Sequence, residues 1–238
     1  MEEMTLAENE SIGELIRVID KEVGLQNVVF AFTGDHGVAP PVDVFKPLGL
    51  PAGYLENKVI LEELNQHLET KWGKSEKGKW ILKARSWNYY LNPEVIADRK
   101  RDRTEVENEV KARILSGPTV GGSRDGVKYV FTRTEWENRK LPPGQFERQI
   151  MKTYIVGKSG DVVIIPKPNW VDKGPFATHM TGYNYDASVP LVFMGPGIRP
   201  GVYGEKAEVV DLAPTLSFIL GTVAPSGSEG RVLHEILR

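Results

Sequence analysis

Val28-Val29-Phe30-Ala31-Phe32 runs directly into Thr33-Gly34-Asp35-His36-Gly37. Five consecutive apolar residues are the pattern of a strand covered on both faces, as in a parallel sheet. The polar stretch then stands at the strand's C-terminal end, where open α/β sheets place ligands. Gly34 and Gly37 let the backbone bend there. A carboxylate and an imidazole on adjacent residues of such a bend can face one ion, and both are ordinary zinc ligands. The same five residues also fit a plain turn, with Asp35 capping the next segment and His36 a bystander.

Working outward, Ser11-Ile12-Gly13-Glu14 has the form of a capping box. Ile12, Leu15, Ile16 and Ile19 follow at helical spacing, and Gly24 is a natural stop. Further helices are predicted over 59–72, 104–115 and 146–152, and strands over 80–84, 87–91, 127–132, 162–165 and 188–194. Asp211 is placed to cap a helix running to Leu220, with Pro214 in its first turn and Gly221 after it. Leu212, Leu216 and Ile219 would be that helix's packing face. Strands and helices are interspersed, so the fold class is α/β, with a central, mostly parallel sheet flanked by helices. Residues 50–160 are more polar and less regular than the flanks, which predicts a cap-like insertion in one domain over 1–238.

Composition narrows the function classes. The 238 residues carry 30 Lys+Arg against 32 Asp+Glu, a net charge of −2, so bulk charge favours neither nucleic acid nor an anionic membrane. The apolar run 28–32 is far short of the ~20 residues a membrane span needs. The chain has no cysteine, which excludes disulfides, thiolate metal sites and cysteine nucleophiles; a metal would have to use His, Asp or Glu. The N-terminal residues have neither a basic region nor an apolar stretch, so no signal peptide is expected.

A second polar segment, Ala177-Thr178-His179-Met180-Thr181-Gly182-Tyr183-Asn184-Tyr185-Asp186, precedes the strand near Val189. Its lone histidine fits a structural role as well as a ligand role. His67, within a helix, and His234, near the C-terminus, are expected to be ordinary surface or packing residues. The basic run Arg99-Lys100-Arg101-Asp102-Arg103 reads as a solvated helix boundary. Gly121-Gly122-Ser123 lacks the lysine and strand–loop–helix setting of a phosphate loop. Lys158, Ser159 and Asp161 are expected to form a turn before a strand. Trp87, Tyr89 and Tyr90 could form an aromatic wall, with at least one of them in the core.

Taken in order, the apolar strand with Asp35-His36, the long insertion, the His179 loop with Asp186, the segment Val189 to Ile198, and Val209-Val210-Asp211-Leu212-Ala213-Pro214 resemble the C-terminal half of the alkaline phosphatase superfamily. The likeness is greatest to phosphate-irrepressible bacterial alkaline phosphatases, near the nucleotide pyrophosphatase/phosphodiesterase branch, and runs from about Ser11 to the end. It implies a two-zinc phosphoric-ester hydrolase acting on a small-molecule phosphate ester. Asp35 and His36 match the ligands of one zinc and His179 a ligand of the other, while Asp186 orders the loop. That loop often begins His-Gly-Ser in the family; here it is His179-Met180-Thr181-Gly182. The family's remaining zinc ligands and its nucleophilic Thr or Ser have no counterpart in this sequence, which implies a missing N-terminal half, incomplete zinc sites and no turnover by the chain alone. An inactive fold-retaining module and a sulfatase or phosphodiesterase of the same superfamily are the alternatives. Whole members of the family are periplasmic or secreted.

Overall fold

The computed structural model describes residues 2–116, 124–138, 140, 144–174 and 178–238. Gly121-Gly122-Ser123 and Ala177 lie outside them. Strands run over Phe30–Thr33 (β1), Gly53–Tyr54 (β2), Ile81–Arg85 (β3), Asn88–Leu91 (β4), Val127–Thr132 (β5), Val162–Pro166 (β6), Trp170–Val171 (β7) and Leu191–Met194 (β8). Helices run over Glu2–Glu22 (α1), Val42–Phe45 (α2), Asn57–Trp72 (α3), Pro93–Asp98 (α4), Arg103–Ser116 (α5), Arg133–Glu137 (α6), Gln145–Thr153 (α7), Asn184–Ala187 (α8) and Leu212–Ile219 (α9). The chain divides into two compact units, Met1–Asp35 with Val189–Arg238, and His36–Ser188. Residues 50–160 lie wholly within the second.

In the first unit, helix α1 begins well before the predicted capping box. Glu2 to Glu10 is rich in Glu, Ala, Leu and Met, all strong helix formers, so Ser11 sits mid-helix. Its hydroxyl donates back to the Ala7 carbonyl at 3.0 Å instead of capping. Strand β1 pairs antiparallel with β8, with Phe30 opposite Met194 and Phe32 opposite Val192. This corrects the parallel expectation: an apolar run states how much cover a strand needs, not which way its partner runs. Cover is also uneven. Leu191 and Phe193 pack on Ile198, Leu233 and Ile236, whereas Phe32 and Val192 on the other face are 52% and 51% exposed.

The end of α9 follows the sequence; its start and its packing face do not. Gly221 adopts φ +64° just past the helix, a left-handed stop that suits glycine. Asp211, however, is itself helical and does not cap α9. Its buried carboxylate accepts from Glu208 N–H at 2.8 Å through one oxygen and from Arg231 N–H at 2.8 Å through the other, tying two loops together. The helix buries Pro214, Thr215 and Ser217 rather than Leu212 and Leu216, because the Thr215 hydroxyl bridges the Asp211 carbonyl and the Leu233 amide. Ile219 does join the Ile198 cluster as expected.

The second unit is built on a four-stranded sheet of order β3-β4-β6-β5, antiparallel at every pairing. Two residues, Ser86 and Trp87, separate β3 from β4, and so short a connection forces an antiparallel hairpin. The parallel pairing here is β2 with β7. Helix α3 lays Ile60, Leu64 and Leu68 on the sheet and α5 lays Val106, Val110 and Ile114, each at four-residue spacing. Between them lie Trp80, Ile81, Tyr89 and Leu91, all nearly fully buried. Asp161, at the start of β6, accepts from Leu91 N–H and from Arg103, joining sheet to helix. Among the described residues no helix is long and apolar enough to cross a membrane.

Candidate functional site

Two backbone hydrogen bonds decide where His36 lies. Gly37 N–H donates to the Asp186 carbonyl at 2.7 Å, and Ala39 N–H to the Thr178 carbonyl at 2.9 Å. They hold the chain after β1 against the segment 178–186. A Cβ on Gly37 would stand 2.1 Å from the Tyr185 carbonyl oxygen, so the approach requires glycine. Ala39 and Val42 then bury against Val171, with Tyr54 and Tyr185 alongside.

The result is contact between two histidines more than half the chain apart in sequence. The rings of His36 and His179 stack with centroids 3.4 Å apart and planes 14° from parallel. His36 Nδ1 lies 2.8 Å from its neighbour's carbonyl, Gly37 O. A carbonyl can only accept, so Nδ1 carries a proton and a neutral His36 ring presents its lone pair at Nε2. A hydrogen bond from the other ring nitrogen to a backbone carbonyl fixes the tautomer and orientation of an imidazole. Asp35, which precedes His36, is exposed at the end of the first unit.

The loop after His179 is fixed by Asp186. This buried carboxylate accepts from Thr181 N–H at 2.8 Å and from the Thr181 hydroxyl at 2.6 Å, both through Oδ2. Its Oδ1 is buried with no partner among the described residues. The Tyr183 hydroxyl donates to the Pro166 carbonyl at 2.8 Å, and burial raises its pKa well above the ordinary value. The Tyr183 ring stacks on Phe146 at 4.8 Å, and Lys128 Nζ lies 4.2 Å from the centre of that phenylalanine. Met180, next to His179, adopts φ +118°, a strained value for a residue with a side chain.

Among the described residues no three His, Asp or Glu side chains are grouped closely enough to hold one ion. Two imidazoles nonetheless stand within one ring thickness of each other, and imidazole nitrogen is an ordinary zinc donor. His67, expected to be ordinary, pairs with Glu109 at 2.7 Å on the surface between α3 and α5. The ring of His234 meets Phe218 edge-on at 5.2 Å.

A cavity of about 510 Å³ adjoins the same loop. Met180, Thr181 and Gly182 form part of its wall, as do Trp87 and Tyr90. Of that stretch, Trp87 and Tyr89 are both core residues, and the Tyr89 hydroxyl donates to Asn57 at 3.1 Å. Lys158 and Ser159, expected only to turn the chain, also line this cavity. No local motif marks them, because they reach it through the fold of the segment between α7 and β6.

The mixed sheet–helix architecture is consistent with an alkaline-phosphatase-like α/β fold, and the chain matches the C-terminal half of alkaline phosphatase superfamily enzymes. It is 28% identical over 242 residues to the alkaline phosphatase PafA of Elizabethkingia meningoseptica, covering all of this chain and 42% of that protein. It is 29% identical over 240 residues to a protein of Myroides odoratus named calcium-transporting ATPase, again covering all of this chain and 42% of the other. The crystal structure of wild-type PafA superposes with a TM-score of 0.83 at 27% identity, covering 94% of this chain and 41% of that one. The chain thus spans about two-fifths of the relatives it matches. No protein-family model matches it.

Proposed function

We propose that this chain is the metal-ligating C-terminal portion of a zinc-dependent phosphoric-ester hydrolase, with Asp35 and His36 serving one ion and His179 the other. The observation that carries the reading is the His36–His179 stack at 3.4 Å. Two ions that clamp an in-line phosphoryl displacement stand about 4 Å apart, and donors spaced on that scale are what the stack supplies. When bound there, the ions would supply activation of an attacking hydroxyl and neutralisation of charge on the leaving oxygen.

The residues of this chain have separable tasks in that scheme. The Gly37 carbonyl holds the proton on His36 Nδ1 and so presents Nε2. Asp186 fixes the backbone beside His179 through Thr181. Asp35 adds a carboxylate and its negative charge. The nucleophile is assigned to polypeptide outside this chain: Ser11 lies within α1 and is bonded to its own backbone, and the Thr33 hydroxyl donates to the Gly34 carbonyl.

Equilibrium dialysis against zinc tests the assignment. Zinc uptake by the chain, lost in His36→Ala and in His179→Ala, is the expected result. Zinc uptake unchanged in both variants would sink it.

A further inference from the structure

The cavity beside the His179 loop concentrates backbone strain. Among the described residues five other than glycine have positive φ: Ser86, Trp87, Lys100, Asn169 and Met180. Three of them, Ser86, Trp87 and Met180, line this one cavity. Ser86 and Trp87, at φ +48° and +58°, form the whole β3–β4 connection, a left-handed pair that sequences normally build from Asn and Gly. Strain of this kind persists where the surrounding structure over-determines it, and it gathers at binding sites.

The lining has a definite chemistry. The half-buried Tyr90 and Tyr154 supply flat aromatic surface, while the buried Trp87 and Trp136 back the wall, Trp136 stacked on Tyr154 at 5.2 Å and 9°. Arg85 and Lys158 stand at the exposed rim, and neither makes an ion pair among the described residues. Among the described residues no Asp or Glu lines the cavity. Two cations without a counter-charge favour an anion, and aromatic walls favour a planar ring. A volume of about 510 Å³ is in the range of small-molecule sites.

We infer that this cavity binds an anionic aromatic compound of the mononucleotide or aryl phosphate class, with Arg85 and Lys158 meeting the charge and Tyr90 the ring. This binding does not rest on the hydrolase reading above.

Adenosine 5′-monophosphate is the probe, followed by tryptophan fluorescence and titration calorimetry on the full chain with a metal chelator present. Saturable binding is expected, at least tenfold tighter than that of adenosine or of inorganic phosphate. Arg85→Ala with Lys158→Ala should weaken it at least tenfold, with far-UV circular dichroism unchanged because both side chains are exposed. His36→Ala with His179→Ala should leave it intact. Absence of saturable binding, binding unaffected by loss of the two cations, or binding lost with the two histidines would each overturn the inference. Nucleotide binding retained in a chain that takes up no zinc would sink the hydrolase reading and leave this one standing.

Discussion

The Gly37 amide donates to the Asp186 carbonyl at 2.7 Å, while its Cα faces the neighbouring Tyr185 carbonyl with no room for a Cβ. This junction brings the His36 ring onto that of His179, because it fixes the backbone on the residue after His36.

Gly37→Ala should therefore do more than perturb a loop. The new methyl group would lie 2.1 Å from a backbone oxygen, so the segment 37–39 has to retreat. The expected cost is about 2 kcal/mol, the lower range for lost buried backbone hydrogen bonds plus strain, together with loss of zinc uptake. Unaltered uptake and an unchanged thermal midpoint would refute the junction's role.

The chain alone is expected not to turn over an aryl phosphate above background, even with excess zinc. A covalent hydrolase needs a nucleophile and charge stabilisation at the transferring group as well as metal. Zinc-dependent release of nitrophenol that disappears in His36→Ala and His179→Ala would overturn this expectation.

Asp211→Ala should destabilise the chain by about 2 kcal/mol, since it leaves two donors, the Glu208 and Arg231 amides, without their partner. An N-cap role would have predicted about 1 kcal/mol and an effect confined to α9. Hydrogen exchange decides between them: the network account requires faster exchange at Arg231 as well as in the helix.

Glu107 provides a pH test. It is fully buried on α5, and its Oε2 accepts from Thr134 N–H at 3.1 Å. Burial raises its pKa, against the opposing pull of Thr134's hydrogen bonds and Arg103. Its folded pKa thus exceeds the unfolded one, so the folded state holds the extra proton between the two. Glu107's contribution is fully present below the unfolded value, near 4.3, and declines as pH rises through the folded value. Glu107→Gln keeps the size and an acceptor for Thr134. Relative to wild type, its melting temperature should rise steadily as pH increases from about 4 to neutrality, leaving the variant the more stable at pH 7. A difference between the two proteins that does not change with pH across this interval would contradict the assignment.

Secondary structure was legible in the sequence wherever a short-range signal exists. The stripes on α3 and α5, the β5 run Val127–Thr132 and the Gly221 stop are set by periodicity and by the left-handed tolerance of glycine. The errors came where two local signals competed. Ser11 could cap or continue a helix, and the Glu-rich stretch before it favours continuation. Asp211 could cap α9 or accept from distant amides, and only the folded position of Arg231 chooses between them.

The sequence by itself determined the α/β class, most element positions and which residue types could bind metal, because those follow from side-chain chemistry and spacing within about ten residues. Only the tertiary structure decided strand direction, the stacking of His36 on His179, and the union of Ser86, Trp87, Lys158 and Met180 around one cavity. These depend on contacts between segments tens to more than a hundred residues apart. Their geometry is fixed by backbone hydrogen bonds such as that from Gly37 to Asp186, available to almost any residue type and so leaving almost no trace in the amino-acid pattern.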